Sequence, residues 1–251
     1  MGKVSVITIV KDNLIGLRNT HESLLRQSFS DWEMIIVVGD SSDGTLTFAR
    51  TLQREDSRIC LIEQKGVGIY EAMNDGLCIA VGYYTWFMNA GDQFSSETVL
   101  WRAVNEICKD NFGLVIGSHK IQGSTQNFSN RYPAGKVSAV NFAFNRGAGC
   151  HQAMIFRTTI LKEIGGFNVS YLLASDFDLV IRLLKASPAT RVPDVYADIE
   201  PGGIADRNIY QVHREKHQIR VRLLGGVSIL IASSIWTFLA GSKIFLRNRL
   251  S

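Results

Sequence analysis

The chain has no C-x-x-C pair. Its four cysteines, Cys60, Cys78, Cys108 and Cys150, stand far apart and mostly inside apolar runs. That excludes a disulfide framework or a thiolate metal knot, and they read as reduced core thiols. No G-x-G-x-x-G follows the first strand-like run, which argues against a dinucleotide-dependent dehydrogenase. No internal repeat is visible, which excludes a solenoid. Met-Gly-Lys leads into the strand-like run at Val4 without an apolar h-region, so no signal peptide is expected and the folded part is expected to face the cytoplasm.

What is present is ordinary globular material. The 251 residues are 46% hydrophobic and 20% charged, enough for one substantial core and too apolar for disorder. The formal net charge of +4 is modest, but Arg214, Lys216, Arg220, Arg222, Lys243, Arg247 and Arg249 crowd one end. Such crowding points to an anionic surface, lipid or nucleic acid.

In the first half, strand-like and helix-like patterns alternate, the signature of a parallel sheet with helices on its faces. Val4–Val10 is a β-branched run of the kind covered on both sides. Leu17, His21, Leu24 and Leu25 fall on one face of a helix. Met34–Val38 and Ile59–Ile62 supply further strands, Tyr70, Met73, Leu77 and Ala80 mark a second helix, and another strand ends at Asn89. The stretch Lys120–Gly149 is polar and glycine-rich, and is expected to form sheet edge and loops. Order returns with a strand at Ala153–Arg157 and a helix bearing Phe177, Val180, Ile181 and Leu184, with Ser175-Asp176 as its N-terminal cap.

Four clusters could carry chemistry. Gly39-Asp-Ser-Ser-Asp-Gly-Thr45 follows a strand and opens a helix, so it can meet a nucleotide or simply cap that helix. Tyr84-Thr-Trp-Phe-Met-Asn-Ala-Gly-Asp92 drives an apolar strand into a small turn ending on a carboxylate. In open α/β sheets ligands bind beyond the carboxyl ends of strands, so Asp92 can hold a hard cation such as Mg2+ or Mn2+ beside a diphosphate, or cap a helix beginning near Ser95. Ala174-Ser-Asp-Phe-Asp178 offers a base, made weak by the helix N-terminus, or a capping aspartate. Gly149-Cys-His-Gln152 and Glu200-Pro-Gly-Gly203 read as ligand loops or as plain turns. His213 and His217 sit four apart on a helical stretch, but no third ligand is near, so a solvated basic face is the preferred reading.

In this order, VSVITIVKDN, LLRQSFSDWEMIIVVGDSSDGT, GVGIYEAMNDGL, the FMNAGD run, CHQAMIFR and ASDFDLVIRL resemble family two inverting glycosyltransferases of the GT-A fold, over roughly residues 4–208. The nearest likeness is to small bacterial enzymes of colanic-acid-type and other surface glycans. The resemblance implies an α/β fold with a mixed, mostly parallel, Rossmann-like sheet, a catalytic domain over 1–208, and a helical membrane-associating tail over 209–251. It implies that Thr8, Asp12, Asp40 and Asp43 hold the nucleotide. Asn89 and Asp92 would take the first and last places of the D-x-D-type motif, with Asp92 on a divalent cation (Mn2+ or Mg2+), and Asp176 would be the catalytic base. His151 and Gln152 would line the donor or acceptor pocket, and Gly202 and Gly203 would belong to a flap. The chain departs from the pattern at Val38, where many relatives carry a base-contacting Asp, and at Asn89 and Gly91, which replace usual carboxylates. The implied partners are a nucleoside-diphosphate sugar and a lipid-linked saccharide, with no nucleic acid.

The rival readings are a nucleotidyltransferase and a non-catalytic nucleotide-sugar-binding module. Against the first, Lys11-Asp12-Asn13 lacks the glycine-rich basic loop such enzymes carry after the first strand. The uncharged run Leu223–Ser242 has the length of a bilayer span, but its glycines and serines suit an interfacial helix, a core helix or an oligomer contact as well. With its basic flanks it places residues 220–250 at the cytoplasmic side of the membrane, as a peripheral contact or a single anchor.

Overall fold

The computed structural model describes residues 2–64, 66, 68–124, 133–144, 149–226, 229 and 231–234. β1 (Val4–Val10) leads to α1 (Leu14–Leu25), β2 (Trp32–Val38) to α2 (Thr45–Glu55), and β3 (Ile59–Glu63) to α3 (Ile69–Ile79). Then follow β4 (Tyr84–Phe87), β5 (Gln93–Phe94), α4 (Val99–Lys109), β6 (Leu114–Ile121), β7 (Gly135–Lys136) and α5 (Ala139–Phe144). A 3-10 turn at His151–Ala153 precedes β8 (Met154–Arg157), α6 (Thr158–Glu163), α7 (Ser175–Ala186), β9 (Ala189–Ile199), α8 (Ile204–Arg207) and α9 (Ile209–Leu224).

The strands form one sheet in the order β3-β2-β1-β4-β8-β6-β9-β5, with β7 also paired to β9. β3, β2, β1 and β4 run parallel, while β8 enters antiparallel between β4 and β6. Burial on both faces explains the strand-like runs: β2 is buried at every position and β1 at all but Ile9. One apolar cluster packs α1, α2 and α4 on one face, and another packs α3, α6 and α7 on the other.

Several expectations are corrected. The strand expected to reach Asn89 ends at Phe87, and Leu25 is exposed. Lys120–Gly149 contains a helix, α5, whose Phe142 stacks on Phe177 of α7. All four cysteines are free, but Cys78 and Cys108 are exposed and only Cys60 and Cys150 are partly covered. The boundary drawn after residue 208 falls just before α9, a helix that packs on α7 and buries Ile219 in the core of that face. Among the described residues no helix is long and apolar enough to cross a membrane, and residues 227, 228, 230 and 235–242 of the apolar run lie outside them.

Candidate active site

The strand order reverses direction of growth between β1 and β4, which opens a crevice beyond their carboxyl ends. Two pockets adjoin there, sharing Ile9, Ile69, Asn89 and Ile204. The larger, about 580 Å3, is lined by Lys11, Gly39, Asp40, Gln64 and Gly68 beyond β1 to β3. The smaller, about 460 Å3, is lined by Asp92, His119, His151, Gln152, Leu173, Asp176, Glu200, Gly202 and Gly203. The two acids read from sequence thus face one cavity, although 83 intervening residues separate them.

Asp92 is held there by its neighbours. Gly91 has φ +102, a conformation that suits glycine, and a Cβ on it would meet the Glu200 carboxylate. The Thr20 hydroxyl of α1 donates to Asp92 O at 2.7 Å and accepts from Gly91 N–H at 3.0 Å, pinning the turn. Gln152 Nε2 donates to Asp92 Oδ2 at 2.8 Å, and the Glu200 N–H donates to Oδ1 at 2.9 Å. Trp86 Nε1 donates to Gln152 O and so fixes the 3-10 turn that supplies Gln152. The Asp92 residue is only 4% exposed, and burial lifts its carboxyl to a pKa of about 6 against the pull of those two donors and of His151. Asp92 caps no helix: α4 begins at Val99 behind Thr98.

Asp176 lies in the first turn of α7, its side chain 30% exposed. Burial raises its carboxyl pKa, but His151, Lys216 and the Phe177 N–H outweigh burial and hold it below the ordinary value. His151 Nδ1 stands 3.6 Å from Asp176 Oδ2, and His151 Nε2 is 3.4 Å from Asn89 Nδ2. That network is satisfied when Nε2 accepts from Asn89 and Nδ1 carries the proton toward Asp176. The expected Ser175-Asp176 cap is not formed. The Ser175 hydroxyl has no hydrogen-bond partner among the described residues, and Asp176 Oδ1 accepts from the adjacent Phe177 N–H. Glu215 of α9 occupies that end of the helix instead, accepting from the N–H groups of Leu172, Leu173 and Ala174.

The remaining sequence candidates divide. Asp40 lines the larger pocket. Asp43 accepts from the N–H groups of Leu14 and Thr45, capping the starts of α1 and α2. Asp12, at φ +46, accepts from the Ser42 N–H and ties the loop after β1 to the loop after β2. Thr8 is fully buried on β1, and its hydroxyl has no hydrogen-bond partner among the described residues. Asp12, Asp43 and Thr8 line neither pocket. His217 bonds Ser233, and no group of three metal-ligating His, Cys, Asp or Glu side chains occurs among the described residues.

The site does suit a hard divalent cation in another way. Asn89 Oδ1 is buried, accepts no hydrogen bond among the described residues, and belongs to a residue lining the same pocket as Asp92. One carboxylate and one amide oxygen fit a cation whose other ligands are diphosphate oxygens and water.

Comparison with known proteins gives the family and the fold. Residues 5–165 match the model of the glycosyl transferase family 2 domain. An uncharacterized glycosyltransferase of Mycobacterium tuberculosis is 25% identical over 84% of this chain and 78% of its own length. The UDP-Glc:alpha-D-GlcNAc-diphosphoundecaprenol beta-1,3-glucosyltransferase WfgD of Escherichia coli is 25% identical over 65% of this chain and 62% of its own. The solved mannosyltransferase PcManGT of Pyrobaculum calidifontis, in complex with GDP-Man and Mn2+, superimposes with a TM-score of 0.71 at 16% identity. That match covers 95% of this chain and 70% of the other.

Proposed function

Because the chain belongs to glycosyl transferase family 2, we propose that it is an inverting hexosyltransferase. It moves a sugar from a nucleoside-diphosphate donor to a hydroxyl of a lipid-linked saccharide in surface-glycan synthesis. The observation that carries this reading is the single cavity lined by both Asp92 and Asp176, opening beside a second pocket large enough for a nucleotide. The nucleotide lies in the larger pocket near Lys11 and Asp40, and the sugar and acceptor meet in the smaller one.

Asp176 takes the proton of the attacking hydroxyl. The acceptor oxygen forms its bond to the anomeric carbon as the bond to the diphosphate oxygen breaks, and that oxygen leaves with the electron pair. Attack from the face opposite the diphosphate inverts the anomeric configuration. His151 orients the Asp176 carboxylate, while Gln152 and the Glu200 N–H fix Asp92. A divalent cation, when bound by Asp92 and Asn89 Oδ1, offsets the charge that grows on the leaving diphosphate. Gly202 and Gly203, at the pocket edge, belong to a flap over the sugar.

WfgD is named for a diphosphoundecaprenol acceptor, and this supports a lipid-linked substrate. Such a substrate fits a chain held at the cytoplasmic face of the membrane by residues 220–250. The test is an assay with UDP-glucose, UDP-GlcNAc and GDP-mannose, each with Mn2+ and GlcNAc-diphosphoundecaprenol, reading the anomeric configuration of the product by proton NMR. Transfer with inversion is expected; transfer with retention overturns the mechanism.

A further inference from the structure

α9 does more than follow the catalytic domain, because two adjacent residues on it reach the machinery around Asp176. Glu215 is 7% exposed, and its carboxylate accepts four hydrogen bonds. Three come from the successive N–H groups of Leu172 (3.3 Å), Leu173 (2.9 Å) and Ala174 (2.9 Å), and the fourth from Gln211 Nε2 (3.1 Å). Those three amides precede the first turn of α7, where Asp176 stands, and Leu173 is itself a wall of the cavity. A carboxylate that collects three consecutive amides leaves the turn one geometry. The next residue, Lys216, lies with Nζ 5.2 Å from the ring centroid of Phe177, the neighbour of Asp176. Its charge is among those that hold the Asp176 carboxyl down. The charged and titratable groups that interact with Asp176 are His151 from the 3-10 turn, Tyr70 from α3, Cys150 and Lys216, and Lys216 in turn interacts with Arg220 and His213.

We propose that Glu215 and Lys216 are positioning residues for the transfer step. Glu215 fixes the turn that carries the base and the acceptor wall, and Lys216 keeps a cation behind the base. α9 is therefore an integral part of the active site. This rests on Asp176 being the base, so the experiment separates the two claims.

Glu215→Gln removes one of two accepting oxygens at nearly constant volume. Hydrogen exchange of the amides of Leu172, Leu173 and Ala174, which needs no substrate, is expected to speed up at least tenfold in this variant while the strands of β1 and β2 stay protected. In the transfer assay, kcat is expected to fall about 10- to 100-fold, because a displaced catalytic group costs rate steeply. The donor KM is expected to stay within twofold. Lys216→Met is expected to lower kcat about tenfold or more at unchanged donor KM, and Lys216→Arg to restore most of it. Unchanged exchange at 172–174 together with wild-type kcat in Glu215→Gln overturns the clamp. Equal activities in Lys216→Met and Lys216→Arg overturn the charge role. Asp176→Asn assayed in parallel isolates the other premise: full activity there removes the base assignment and leaves the exchange result standing.

Discussion

The two halves of the sheet frame their pockets by different means. On the side of β3, β2 and β1, the loops that frame the larger pocket are held by contacts between neighbouring loops. Asp43 caps α1 and α2, and Asp12 ties the loop after β1 to the loop after β2. On the side of β4, β8 and β9, the smaller pocket is assembled from distant segments: Gln152 and Glu200 on Asp92, His151 on Asp176, Glu215 on the turn before Asp176. A half built from neighbouring loops and a half assembled from distant segments thus adjoin at one crevice.

The two acids differ in proton affinity. Burial raises Asp92 to about 6, whereas His151 and Lys216 offset burial at Asp176 and keep it ionised lower. Asp176 therefore stays charged at a lower pH than Asp92.

The largest effect that can break this division is at the base. Asp176→Asn is expected to lower kcat by roughly 10²- to 10⁴-fold while nucleotide binding, read by thermal shift with UDP or GDP, is retained. Loss of nucleotide binding in that variant would erase the boundary between the two halves.

Next comes Asp92. Its folded pKa lies above the unfolded value near 3.8, so its contribution to stability is fully present below that value and is lost as pH rises through about 6. Ionised and buried at pH 8, it costs the fold up to about 3 kcal/mol. Asp92→Asn is therefore expected to lower turnover at least 100-fold and yet raise Tm at pH 8, with the gain vanishing near pH 4. Chemical denaturation at the two pH values checks it.

Smaller effects sharpen the contrast. Thr20→Val removes the hydroxyl that pins the Asn89–Asp92 turn and leaves buried backbone groups unpaired, a loss of about 1–3 kcal/mol in urea unfolding. Asp43→Ala removes a cap from the local half and is expected to lower the urea midpoint slightly with kcat unchanged. A fall in kcat for Asp43→Ala matching that of Asp92→Asn would show that the halves are not separable.

What was legible in the sequence follows the same line. β1, β2 and α3 were readable because burial on both faces leaves continuous β-branched runs, and one apolar face leaves a 3.6-residue period. The motifs pointed to Asp92 and Asp176, and the fold brings both to one cavity. The anchoring of the turn before α7 was not readable, because Ser175-Asp176 has the local pattern of a cap while the turn is held by Glu215, 41 positions on from Ala174. Thr20 was missed for the same reason, since its partners lie across the fold at Asn89 and Asp92. α5 escaped because its short Phe142 and Ala143 face packs on α7 and leaves no period to see. Asp43 gave the opposite lesson: a nucleotide-like loop carries an aspartate committed to two helix starts.

The most direct test of the shared transfer centre is a kcat measurement on Asp92→Asn, Asp176→Asn and the double variant under saturating donor. Two groups acting on one step predict a double variant no slower than about tenfold below the worse single one, because residues acting as a unit are strongly non-additive. Independent multiplication of the two losses would contradict it.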